Sequence, residues 1–372
     1  MNLRLKALIR IIRLKKIPDR LFLCASVSNP TSQKTVSEEI IIIMPKNKSM
    51  SDLYKETMGV IPQEFQPGIL FLTLHGSRAY GTFDENSDYD IRGVCIPPKK
   101  YYTGYLHSFE HLERKEPNDL ALYELTKFCK MASEGNPNIL ELFYIPKTKW
   151  LYATETWKRF VENRHLFISK KCKFTFSGYA VSQLKRMKNH YNWLNMEEPK
   201  RPTRNQFNLP NQMKMTVSEE QVVYKLLQNE VLPNPEIVRD YITREQRYRE
   251  AYDKWDTYTI WKEHRNPKRA ELERLCGFDG KHGLHLVRLM KMCKEILTTG
   301  EVIVERPDAT ELLDVKNGKF KYEELISWAE EMDLSLEELY RNSTLQKEPN
   351  RNAIDVLCQE SIEASILKEI KS

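Results

Sequence analysis

The sequence predicts an α+β protein, with a compact unit of strands and helices over residues 44–150 and a mainly α-helical part over residues 151–372. Three observations predict it. The apolar run Gly68-Ile69-Leu70-Phe71-Leu72-Thr73-Leu74 reads as a buried strand. After a short polar linker, residues 88–96 and then about 119–123 carry two more strand-like stretches. Beyond residue 150 strand-like alternation becomes scarce and helical periodicity takes over.

The elements follow in order. Residues 51–58 form a helix, with Ser51 as the cap before Asp52 and Gly59 as its close. Strands follow at 68–75, 88–96 and 119–123. Tyr123 to Ser133 reads as a helix closed by Gly135, and Ile139 to Tyr144 continues the core until Pro146 ends it. Helical patterns then occupy roughly 153–164, 177–195, 217–230, 235–253, 282–299, 322–332 and 351–369. Asn234 before Pro235 is a favourable helix start, a capping side chain followed by proline at the first helical position.

Composition bounds the function. The 372 residues suffice for two domains, and 41% apolar residues can fill a core in each. A net charge of +6 permits nucleic-acid binding without requiring it. Seven scattered cysteines without Cys-x-x-Cys spacing argue against a zinc ribbon and suit reduced thiols in the cytoplasm. No apolar run reaches the length of a membrane span. Residues 1–20 carry seven Lys/Arg and one acid, interleaved with Leu and Ile. This basic extension, residues 1–43, reads as a membrane-surface helix, an organellar presequence or a segment that is not native. The third reading is favoured, with Met44 or Met50 as the true start.

The chemistry concentrates in Leu74-His75-Gly76-Ser77 and Asp88-Tyr89-Asp90-Ile91. Gly76 lets the backbone approach a phosphate, the following amides can form an anion-binding nest, and the Ser77 hydroxyl can donate to a phosphate oxygen. In a strand, residues i and i+2 share a face, so Asp88 and Asp90 can aim at one point. Two carboxylates so placed suit Mg²⁺, with Mn²⁺ as an alternative, and phosphate oxygens complete the coordination. A lone Gly-Ser or Asp-x-Asp is weak, because the first is usually a turn and the second usually solvated. Their combination between apolar strands is much more specific.

The segments Leu74-His75-Gly76-Ser77-Arg78-Ala79-Tyr80-Gly81 and Ser87-Asp88-Tyr89-Asp90-Ile91-Arg92-Gly93-Val94 resemble the signature of the DNA polymerase beta-like nucleotidyltransferases. More narrowly they are similar to the predicted nucleotidyltransferases associated with RNA repair. Further blocks match in order: Asp119 to Leu125, Gly135 to Leu142, Ser177-Gly178-Tyr179-Ala180 with Gln183-Leu184-Lys185, Lys281-His282 with His285 to Leu289, and Thr298 to Glu301. The match runs from about residue 68 to 350. Gln346 stands where that pattern has proline and Asn350 where it has aspartate, both far from the acidic motif.

The resemblance implies a small mixed sheet with helices, followed by the helical part. It implies Asp88, Asp90 and a third carboxylate as catalytic metal ligands or base. Asp119 is the best match for the third, and Glu124 is the runner-up. It also implies an NTP as substrate and an RNA end as acceptor, with a protein or small-molecule hydroxyl as the alternative. A non-catalytic nucleic-acid-binding module is disfavoured, since pure binding has no need to gather acids opposite phosphate.

Residues expected to hold nucleotide are Gly76, Ser77, Arg78, Lys281, His285 and Arg288. The last three share one helical face with Met292 and Glu295, an odd choice of polar side chains for a core stripe. His282 and His285 are equally readable as structural histidines. For the acceptor, Lys185, Arg186, Lys188, Lys200, Arg201 and Arg204 form a basic tract with Tyr191 and Trp193 interleaved. An ordinary solvated helix face explains that tract equally well. His107 and His111 are four apart but lack a partner ligand, and are read as structural.

Overall fold

The computed structural model describes residues 48–85, 87–211, 216–228, 235–265 and 267–371. The expectations for the basic extension 1–43, for a start at Met44 and for Asn234 as a cap lie outside these residues.

In chain order the first elements are α1 (Met50–Val60), β1 (Ile69–His75), α2 (Gly76–Tyr80), β2 (Asp90–Cys95), β3 (His111–Arg114), β4 (Asp119–Glu124) and α3 (Leu125–Ser133). There follow β5 (Trp150–Ala153), α4 (Glu155–Glu162), α5 (Cys172–Asn195), α6 (Val217–Gln228) and α7 (Pro235–Glu263). The last are α8 (Pro267–Cys276), α9 (Gly280–Thr299), α10 (Ala309–Lys316), α11 (Tyr322–Asn342) and α12 (Arg351–Lys371). Strands β3 and β5 and helices α8 and α10 are additions to the sequence reading. Helices α7 and α11 each run nearly three turns longer than their periodicity suggested.

The five strands form one mixed sheet in the order β3-β4-β2-β1-β5. β1 pairs antiparallel with both β2 and β5, β2 pairs parallel with β4, and β3 pairs antiparallel with β4. Every residue of β1 is buried, because the sheet is covered on both faces. On one face Leu72, Leu74, Ile91, Leu120 and Leu122 pack with Leu53 of α1. On the other, Phe71 stacks on Trp157 of α4 at 4.2 Å between ring centres, and Trp157 stacks in turn on Phe143.

Local signals explain the ends. The α1 cap is Ser49 rather than Ser51, since the Ser49 hydroxyl accepts from the Asp52 amide at 3.1 Å. The helix also continues through Gly59 to Val60, because no left-handed residue stops it there. Gly135, at φ +75°, does sit just past α3 as expected, and its amide donates to the Ala132 carbonyl.

Packing divides the described residues into two units. One contains residues 48–195 and 267–371, and the other contains residues 196–265. The division therefore does not fall at residue 150. A single apolar core runs from Phe71 and Leu125 through Trp157 and Phe176 to Val287, Leu336 and Cys358. The smaller unit has its own cluster, Leu209, Val223, Val238, Tyr241 and Ile242. Beside it Arg204 makes a two-pronged ion pair with Glu245, both contacts at 2.7 Å.

Candidate active site

Register builds the site. His75 at the end of β1 is the partner of Asp90 at the start of β2, and Asp90 is the partner of Asp119 at the start of β4. Partnered residues across a sheet point to the same face. The imidazole and the two carboxylates therefore form one row across the three central strands. Arg92, two residues along β2 and so on the same face, lies 3.8 Å from Asp90 Oδ1 and 3.6 Å from Asp119 Oδ2.

Gly76 follows this row directly. It adopts φ +61°, and a Cβ on it would lie 2.1 Å from Asp90 Oδ2. The chain then turns into α2, as the sequence suggested for Ser77. Ser77 is half-buried, and its hydroxyl has no partner among the described residues.

Burial lifts the Asp90 carboxyl above the ordinary aspartate range, and Asp119 adds to this. Arg92, His75 and Lys281 oppose it by favouring the charged form. Two neighbouring carboxylates of which one resists ionisation suit a cation nearby.

The three acids are placed unequally. Asp88 is exposed and precedes β2 instead of lying within it, so strand alternation does not by itself align it with Asp90. Among the described residues no three His, Cys, Asp or Glu side chains are gathered closely enough to hold a metal ion. Asp90 and Asp119 are the pair that register brings together. Two carboxylates, completed by water and substrate phosphates, fit the preference of Mg²⁺ for hard oxygen donors.

Glu124, the runner-up for the third carboxylate, has a different job. It is buried and caps α3, accepting from the amides of Thr126 at 2.8 Å and Lys127 at 2.7 Å, while the Tyr102 hydroxyl donates to it at 2.8 Å. Glu124→Gln is expected to leave catalytic turnover near wild type and to cost about 1 kcal/mol of stability through the weakened cap. Asp119→Asn is expected to lose turnover while keeping the fold. Side-by-side label-transfer rates and denaturation curves of the two variants check this.

Arg78 departs from the expectation that it grips phosphate. It is buried, and it donates to the Ser87 carbonyl at 3.0 Å and the Asp88 carbonyl at 3.3 Å. Its guanidinium also stacks 3.7 Å from the centre of the Tyr89 ring and 5.1 Å from that of Phe83. Arg78 thus ties the loop carrying Asp88 to the Gly76-Ser77 turn. Its planar fork matches two carbonyls and an aromatic face at once, which a lysine would not.

The helix face at 281–295 is real, but it divides between surface and core. Lys281 is exposed at the start of α9, close enough to Asp90 to influence it, and makes no ion pair with a described residue. Burial and the charges of Arg288, Lys281 and His282 push the His285 imidazole down to about 3, so it is neutral near pH 7. Arg288 points inward and is ion-paired with the fully buried Glu141 at 2.5 Å. It cannot also serve as a nucleotide-facing cation. Glu295 pairs with Arg306 at 2.7 Å.

Glu141 is the residue the sequence reading passed over. Its carboxylate also accepts from the Tyr80 hydroxyl at 2.5 Å and lies 3.3 Å from His75 Nε2. An acid isolated in the apolar run Ile139 to Tyr144 was the available signal.

The basic tract is shared between the two units. Lys185, Arg186 and Lys188 are exposed on α5, with Lys188 3.8 Å from Glu330 of α11. Lys200 and Arg201 are exposed in the smaller unit, where Arg201 lies 5.2 Å from the Trp255 ring centre. Arg204 is buried in its pair with Glu245, and this removes it from a role as a free acceptor-binding cation. His107 and His111 are exposed, the first in a loop and the second in β3, so helical spacing does not relate them.

Comparison with known proteins identifies the family through one matching family model. A model of the RNA repair pathway DNA polymerase beta family matches residues 50–360. The chain is 27% identical over 119 residues to an uncharacterized 38.9 kDa protein in the nrdC-mobD intergenic region of Enterobacteria phage T4, covering 29% of this chain and 35% of that protein. It is 30% identical over 83 residues to the uncharacterized protein YcgL of Bacillus subtilis strain 168, covering 22% of this chain and 32% of that protein. The chain thus spans about a third of the length of the curated relatives it matches. A solved nucleotidyltransferase-like protein from Exiguobacterium sibiricum 255-15 aligns with 86% of this chain and 76% of its own at 10% identity, with a TM-score of 0.22, too low to bear on the fold. Matched over most of its length, the chain belongs to the RNA repair pathway DNA polymerase beta family, a family of nucleotidyltransferases.

Proposed function

We propose that the protein transfers a nucleoside monophosphate from an NTP to the hydroxyl of an RNA end and releases pyrophosphate. The observation that carries this reading is the row His75, Asp90 and Asp119 beside the Gly76 turn. It sets two acids next to a backbone segment that carries no side chain at Gly76.

In this reading Ser77 and the amides after Gly76 hold the terminal phosphates, and Lys281 adds positive charge from α9. Neutral His285 hydrogen-bonds instead of contributing charge. Asp90 and Asp119 would hold Mg²⁺, with Asp88 on the preceding loop as a further candidate ligand, and the ion when bound would neutralise phosphate charge and polarise the α-phosphate. Asp119, with its side chain 53% exposed, accepts the proton of the acceptor hydroxyl. The oxygen then bonds to the α-phosphorus as the bond to the bridging oxygen of the β-phosphate breaks, and pyrophosphate leaves with that electron pair.

Residues 48–195 with 267–371 act as the catalytic unit, since they share one core. Lys185, Arg186 and Lys188 on that unit contact acceptor phosphates. Among the described residues no helix is long and apolar enough to cross a membrane. The six buried free thiols among the described residues suit a reducing compartment, and the cytoplasm is the proposed location.

The test is label transfer from each α-labelled NTP, with Mg²⁺ and mixed small RNAs, by wild type and by Asp88→Ala/Asp90→Ala. Wild type is expected to label RNA and the double variant to label nothing. Equal labelling by both would defeat the mechanism, and label on protein alone would move the acceptor to a protein hydroxyl.

A further inference from the structure

We infer that Glu141 is a positioning residue for the turn proposed to hold phosphate, hydrogen-bonded to its far end at Tyr80 and set close to its near end at His75. The turn begins after His75 and ends at Tyr80, with Gly76 and Ser77 between them. Both flanking side chains converge on one carboxylate. The Tyr80 hydroxyl donates to Glu141 Oε2 at 2.5 Å, and His75 Nε2 lies 3.3 Å from the same oxygen. Arg288 holds the other oxygen at 2.5 Å, and its guanidinium stacks over the Tyr80 ring at 3.9 Å.

The arrangement is built and rigid. Glu141 is completely buried, and His75, Tyr80 and Arg288 are each less than 9% exposed. Burial alone would raise the Glu141 carboxyl, but Arg288, His75 and Tyr80 outweigh it and hold it down to about 2. The acceptor of these contacts is therefore ionised across the working pH range, and charged acceptors make the stronger hydrogen bonds. Arg288 belongs to α9, which also carries Lys281, so the same carboxylate joins the turn to the helix proposed to supply cationic help. His75 is also the register partner of Asp90, which places the gripped segment against the acidic row. Glu141 meets the site only through His75, Tyr80 and Arg288, so its effect is on where the turn and α9 sit.

This inference rests on the proposed nucleotide site, and its test separates the two. Binding of a fluorescent trinitrophenyl-ATP, displaced by each of the four NTPs with Mg²⁺, is measured for wild type, Tyr80→Phe and Glu141→Gln. Steady-state KM values for NTP and for RNA accompany it. Tyr80→Phe removes one hydrogen bond without changing the ring, so it keeps the test decisive if Glu141→Gln fails to fold. The expected result is an NTP affinity lowered about tenfold in Tyr80→Phe, the size of a single charge-assisted hydrogen bond, with the KM for RNA unchanged. A merely structural residue would reduce the active fraction, lowering the maximal rate and leaving both KM values alone. That outcome, or unchanged NTP affinity in folded Tyr80→Phe, overturns the positioning role while leaving the nucleotide site intact. Wild type that binds none of the nucleotides overturns the nucleotide site and this inference together.

Discussion

Gly76→Ala is expected to lower nucleotidyl transfer by about 100-fold or more while leaving the fold in place, because misplacing reacting groups by an ångström is enough for such a loss. Two independent features of Gly76 require glycine. Its φ of +61° lies in the left-handed region, which an alanine occupies only with strain. An added Cβ would also fall 2.1 Å from Oδ2 and 2.9 Å from Cγ of Asp90. Asp90 would have to swing away from its register partner Asp119, or the turn would have to retreat from the acidic row. Either movement separates the acids from the segment proposed to hold phosphate. The residue sits at a strand end beside solvent rather than in the core, so the expected cost falls on activity. Single-turnover label transfer, with circular dichroism to verify the fold, checks this. Wild-type activity in the alanine variant would mean that the turn does not need to touch Asp90.

Arg288→Met is expected to destabilise the protein by about 3–5 kcal/mol near neutral pH, because removing one member of a buried ion pair leaves the other charge uncompensated. The remaining charge is Glu141, completely buried and left with only Tyr80 and His75. The pH dependence has a definite sign. In the wild type the Glu141 carboxyl is held down to about 2, from an ordinary value of 4.5. A lowered carboxyl contributes stability that is fully present above its unfolded value and is lost as pH falls through its folded value. Without Arg288 burial dominates and raises the carboxyl, so the folded variant binds a proton more readily than the unfolded chain. The gap between variant and wild type should therefore narrow as pH falls from 7 toward 4. Urea denaturation at several pH values reads this directly, and a gap that widens in acid would show that Glu141 is not the charge left stranded.

These two residues mark what a local sequence pattern can place and what it cannot. The Gly76-Ser77 turn and Asp90 were legible because their pattern is local, whereas Asp88 precedes β2 and lacks the strand alternation expected of it. The central strands were legible from apolar content, since β1, β2 and β4 are the strands with neighbours on both sides. The two missed strands, β3 and β5, are the sheet edges, four residues each, and β3 is almost wholly exposed. Edge strands keep charged side chains and little apolar content, so pairing, not composition, defines them. The 281–295 stripe was correctly placed on one helical face, but periodicity does not say whether that face meets solvent or a buried partner.

By itself the sequence determined the family and the acidic motif, because both rest on residue types in short, ordered blocks. Only the tertiary structure decided how those residues are used. Asp119 lies 29 positions from Asp90 and becomes its neighbour through parallel pairing of β2 with β4. Glu141 meets Arg288 across 147 positions of chain. That contact turns a presumed nucleotide-binding arginine into the counter-charge of a buried carboxylate. Long-range pairings of this kind follow from how strands and helices close around a shared core. No local pattern carries that information, because the energetic demand that a buried charge find a partner arises only once the chain has folded.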